Sequence, residues 1–169
     1  MKKLSTYLCL IASGFLFAVP MVHAEMAKEG SGNYRGGESG TFAILKMEGG
    51  HFQMNWEETG VMVEVPQNSP FFNASWHAMG TTCGDTEKVQ GNGAILLTRP
   101  NGDQIFGTMS YEGKPGGGPT SGLVTWVGGT GECTGIGGTM ELLPRPTVKV
   151  TKKGIYQQIA VGKISWKIP

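Results

Sequence analysis

Charge is scarce in this sequence: 16% of its 169 residues are Asp, Glu, Lys or Arg, and the formal net charge is +1. So even a balance offers no general attraction to nucleic acid, and no nucleic-acid partner is expected. Long hydrophobic runs are missing too. The apolar stretch from Tyr7 to Val19 falls short of the about 20 residues a bilayer-spanning helix needs, so no membrane span is expected. There are three cysteines and no CxxC spacing, which argues against a zinc knuckle or a dithiol redox catalyst. No segment sustains a 3.6-residue apolar period, which excludes long amphipathic helices.

Glycine is what the sequence has in excess, 28 residues beside 9 prolines, with no G-X-Y repeat to suggest collagen. Each Gly inside a helix costs about 1 kcal/mol relative to Ala. The composition therefore favours many short strands and tight turns, and 39% hydrophobic residues suffice for one buried core. The first 24 residues read as a secretory signal, with Lys2 and Lys3, the apolar run, and Val22-His23-Ala24 before Glu25. The mature protein is expected to be periplasmic or secreted. Cys9 falls within the signal. Of the remaining two cysteines, a pair in an exported chain is expected to form a disulfide, Cys83 to Cys133. Closing a loop of roughly 50 residues would stabilise the fold by about 4 kcal/mol.

Residues 25–40 are polar and glycine-rich and read as a flexible N-terminal segment, leaving 41–169 as the folded domain. Within it, Glu48-Gly49-Gly50-His51 and Pro100-Asn101-Gly102-Asp103 read as hairpin turns. From His51 to Glu58, Phe52, Met54 and Trp56 share one face, opposite His51, Gln53, Asn55 and Glu57. Val61, Val63 and Val65 alternate, as do Phe72, Ala74, Trp76 and Ala78, opposite Asn73, Ser75, His77 and Met79. Further strands are expected at 94–99, 104–111, 123–127, 139–143, 148–151 and 155–168. Eight to ten short strands indicate an all-β fold, and meandering hairpins suit a single antiparallel up-and-down barrel of about eight strands, in which closure removes exposed edges. The lysines and arginine beyond Glu141 read as a solvated face protecting an edge.

The stretch Gly128-Gly129-Thr130-Gly131-Glu132-Cys133-Thr134-Gly135-Ile136-Gly137-Gly138 resembles a glycine-rich signature of allene oxide cyclase-like and dirigent-like barrels and of related bacterial calycin-like proteins. The hairpin from Leu97 to Tyr111 fits the same pattern. The resemblance implies a barrel with a central cavity and binding of apolar or phenolic molecules. It carries over no catalytic residues.

If the barrel encloses a ligand, the lining expected is Phe52, Met54, Trp56, Phe72, Trp76, Met109 and Trp126, since small-molecule pockets are mostly apolar. Glu57, Glu58, Glu64 and Tyr111 are conceivable acid/base groups, while the polar faces around His51 and His77 are expected to meet water. Soft ligands at Met47, His51 and Met54, or at His77, Met79 and Cys83, do not converge on regular strands, so no metal site is expected and no cofactor is implied. The segment from Lys114 to Pro119 reads as an exposed loop near a barrel mouth. The function expected is binding of a small apolar or aromatic ligand without chemistry. The alternatives are an envelope interaction or inhibitor protein with a solid core, and a cyclase or isomerase. The sequence carries no signal of oligomeric state.

Overall fold

The computed structural model describes residues 25–115, 119–143, 147–148 and 152–169. The signal segment, the centre of the Lys114 to Pro119 loop, Arg145 and Lys149 lie outside the described residues. Nine strands run β1 (Glu29–Lys46), β2 (Phe52–Glu64), β3 (Ser75–Gly84), β4 (Val89–Thr98), β5 (Gln104–Gly113), β6 (Pro119–Gly129), β7 (Thr139–Glu141), β8 (Thr147–Val148) and β9 (Ile155–Lys167). Each pairs antiparallel with the next through β7, which meets β9 at Ile164. β9 then pairs with β1 from Glu29 opposite Lys167 through Thr41 opposite Ile155. The sheet is thus a closed up-and-down barrel of the expected class, with the two-residue β8 joined to the flank of β9.

Both expected hairpin turns form. Gly49 and Gly50 have φ of 69° and 81°, and Gly102 has φ of 89°, the left-handed region that glycine enters without Cβ strain. The Met47 N–H donates to His51 O at 2.8 Å and the Arg99 N–H to Asp103 O at 2.8 Å, closing the two hairpins.

Residues 29–40 are not a loose lead-in. They form most of β1, pairing with β9 throughout and with β2 from Arg35 onward. Some of their glycines make room for rings instead: Gly36 lies against the Trp76 ring, and a Cβ on Gly40 would meet the Tyr156 ring at 2.5 Å. The density that suggested flexibility reflects close packing inside a narrow barrel.

One end of the barrel is plugged. Between β2 and β3 the chain folds inward through tight turns, Ser69 N–H to Pro66 O at 2.9 Å and Ala74 N–H to Phe71 O at 3.1 Å. Phe71, 0% exposed, sits 5.1 Å from the Trp126 ring and edge-on to Trp166 at 5.8 Å. Leu97, Ile105, Ile136 and Ile168 complete this apolar end. Outside it, Arg99 Nη1 donates to Glu132 at 2.7 Å and to Asp103 at 3.3 Å, tying the β4–β5 turn to the glycine-rich segment.

Cys83 and Cys133 are free thiols, not the expected bridge. Cys83 lies on the outer face of β3 opposite Gln90 of β4, whereas Cys133 is buried beside Arg99, just past the other end of that strand. At about 3.3 Å per residue this puts roughly 30 Å of strand between them, and a disulfide needs Cα atoms within about 7 Å.

Candidate binding site

Alternation along each strand selects what enters the barrel. β1 contributes Tyr34, Gly36, Glu38 and Gly40, β2 contributes Met54, Trp56, Glu58 and Met62, and β3 contributes Trp76, Ala78 and Thr82. Six of the seven expected lining residues (Phe52, Met54, Trp56, Trp76, Met109 and Trp126) lie on this inward face. Phe72 does not. It is 40% exposed, and its neighbour Phe71 fills the core. The turn ending at Asn73, with φ of 56°, breaks the alternation that the sequence seemed to continue upstream of Trp76, and β3 begins only at Ser75.

In the middle of the barrel the side chains fill the space. Between Tyr34, Glu38, Glu58, Met62, Trp76 and Met109 about 10 Å³ remains, close to the least that holds one water. The open end is different. Here Trp56 lies across Gly80 and Gly93, so that a Cβ on Gly80 would meet its ring at 2.5 Å. Tyr111 crosses Gly91 to hydrogen-bond Thr82 on β3. Tyr156 crosses Gly40 to donate its hydroxyl to Glu58 Oε2 at 2.8 Å. Each ring spans a strand that lacks a side chain at that point.

Glu38 and Glu58 are 6% and 8% exposed. Glu38 faces Gly60 and Glu58 faces Gly40 across the β1–β2 ladder, so the two carboxyls are diagonal neighbours inside the barrel. A carboxyl paired with a phenol can anchor a ligand hydroxyl or hold a proton. Of the conceivable acid/base groups, Glu58 and Tyr111 point inward, while Glu57 pairs with His77 at 2.7 Å and Glu64 with Arg35 at 3.3 Å on the outside. Glu38 escapes sequence reading because it stands in the apparent lead-in. Its signal was the alternation Tyr34, Gly36, Glu38, Gly40. His51, Gln53, Asn55, Ser75 and His77 meet water as expected.

Above these groups stands an apolar lip. β1 and β2 continue past the last β1–β9 pair, and the inner face of that hairpin carries Phe42 opposite Trp56 and Ile44 opposite Met54, with Phe52 beyond. Phe42 and Ile44 are exposed, and the Phe42 ring lies 6.4 Å from Tyr156. At the floor, the buried Trp56 Nε1 has no hydrogen-bond partner among the described residues.

Neither a protein-family model nor a curated protein matches the chain. A solved structure, of the pterocarpan synthase dirigent protein GePTS1, aligns with a TM-score of 0.49 and 11% sequence identity, covering 94% of this chain and 100% of that chain. At that distance the likeness carries no residue's role across.

Proposed function

We propose that this chain is an exported protein that binds a small apolar or aromatic molecule at the open end of the barrel, without transforming it. The observation that supports this reading is the buried Trp56 N–H, left without an acceptor beneath the exposed apolar lip of Phe42 and Ile44. An unmet buried donor costs about 1–3 kcal/mol, which a ligand oxygen would recover while the lip sheds water. The filled middle of the barrel supports a site at the mouth rather than in a deep cavity.

The test uses 1-anilinonaphthalene-8-sulfonate, whose emission rises in apolar sites. The full mature chain is expected to enhance it and to transfer energy to it from Trp56. Ile44→Glu and Trp56→Phe are each expected to weaken binding by about tenfold, the equivalent of 1.4 kcal/mol. Equal binding by the wild type and both variants would overturn the reading. Export is tested by the mass of the protein recovered from its host, expected to start at Glu25.

A docking protein with a solid core is the second reading, favoured by the filled interior and by an outer groove of about 750 Å³ along Gly37, Thr59, Val61, Ser75 and Ile159. Val61→Glu separates the two readings. It would abolish a complex on native gels of host extract under the second and leave probe binding intact under the first.

A further inference from the structure

We propose that the rim of the open end holds a copper(I) site made by Met47, His51 and Cys83. On the sequence alone these residues do not form a set, because the first two flank a turn and the third was expected in a disulfide. The fold removes both objections. The hairpin sets Met47 directly opposite His51, with the Met47 N–H on His51 O at 2.8 Å. Phe52 is opposite Gly84 and Gln53 opposite Cys83, so the register continues His51 into the row next to Cys83. Strand alternation puts His51 and Cys83 on the same outer face as diagonal neighbours, about 7–8 Å apart at Cα and within side-chain reach. All three line one rim pocket of about 420 Å³, together with Asp85, Lys88 and Gln90.

The chemistry of the set selects the ion. Among the described residues no three His, Cys, Asp or Glu side chains converge, so the third donor here is a thioether. Thioether, imidazole and thiolate donors suit copper(I) rather than magnesium, calcium or manganese. Asp85 is already committed, its Oδ1 accepting the Glu87 and Lys88 N–H groups at 2.8 and 3.0 Å. Glu48 and Lys88 also line the pocket with opposite charges, and copper(I) bound to one thiolate adds no net charge. Cys83 is exposed and unbridged; on binding, its S–H proton leaves to solvent and the sulfur–copper bond forms, with no change of oxidation state.

The experiment is an anaerobic titration of the reduced mature protein with copper(I) against the chromogenic chelator bathocuproine disulfonate. The wild type is expected to withdraw one equivalent, and its extended X-ray absorption fine structure to show sulfur and nitrogen scatterers. Removing an outer-shell partner typically costs 10–100-fold in metal affinity, so loss of a direct ligand in Cys83→Ser or His51→Ala is expected to cost more than about 100-fold. Met47→Leu is expected to cost about tenfold. Met79→Leu, an exposed thioether elsewhere on β3, is expected to change nothing. All four positions are exposed, and circular dichroism checks that each variant keeps its strands. A wild type that withdraws no copper(I), or a folded Cys83→Ser protein that binds as tightly as wild type, would overturn the site. Binding of the naphthalene probe is read separately and does not depend on it.

Discussion

At the plugged end of the barrel, Phe71, Trp126 and Trp166 meet ring to ring among aliphatic side chains. At the open end, rings cross bare glycine backbone and finish on polar partners: Tyr111 on Thr82 and Tyr156 on Glu58. The first arrangement gains from apolar area removed from water, at about 25 cal/mol per Å². The second gives up some of that gain to hold hydroxyls, carboxyls and an indole N–H in fixed orientations inside the barrel. Stability should therefore concentrate at the plugged end, and ligand recognition at the open one.

The largest blow to that contrast is Phe71→Ala, expected to cost about 3–5 kcal/mol in the midpoint of urea unfolding. Phe72→Ala, one residue away and exposed, should stay within about 0.5 kcal/mol. A large loss at Phe72 would show that the register of the plug is wrong. Gly80→Val at the open end is expected to cost about 1–3 kcal/mol and to change Trp56 emission, because its side chain would enter the space of the Trp56 ring and approach Asn92 O. Gly37→Ala, with nothing within 4 Å, should change stability by no more than about 1 kcal/mol.

Removing the phenol hydroxyl in Tyr156→Phe is expected to cost about 1.5 kcal/mol and to weaken probe binding. A stability loss with probe binding untouched would confine the Glu58–Tyr156 pair to a structural role. Cys133 provides a pH test of the plugged end. Burial is the main effect raising its thiol above the ordinary 9.0, partly offset by Arg99, so the folded state favours the neutral form. The stability this thiol contributes is complete below about pH 9 and falls as pH climbs through the raised value. Iodoacetamide is expected to label Cys83 at once and Cys133 only on unfolding, which mass spectrometry resolves. A small effect is also expected for Glu57→Gln, which breaks the exposed pair with His77 and should cost less than about 1 kcal/mol.

Much of the barrel was legible in the sequence, because turns with glycine at left-handed positions and strict alternation from Phe52 to Trp56 are local signals. The failures came where local signals carry the wrong sense. Val61 and Val63 alternate like core residues yet face outward and are exposed, because the inward positions between and beside them are Gly60 and Met62. A glycine covered by a ring two strands away looks the same in sequence as a glycine at a loose end. That ambiguity hid β1 and, with it, Glu38. The two cysteines obeyed the counting rule for exported chains but lie at opposite ends of β4, a separation set by topology that no spacing along the chain reveals. At the candidate site, Trp56 was legible as an inward ring. That its N–H lacks an acceptor depends on which backbone oxygens come near it, and is set only by the assembled barrel.

Closure by the first and last strands also sets the order in which this protein becomes itself. Trp166 reaches Ala27 O across 139 positions, and every β1–β9 pair spans a comparable stretch, so the seam is the most remote pairing in the molecule. Remote pairings form slowly. Until β9 is available, β1 has one free edge and Gly40 lacks the Tyr156 ring that covers it. A chain built this way cannot close its barrel before β9 has been made.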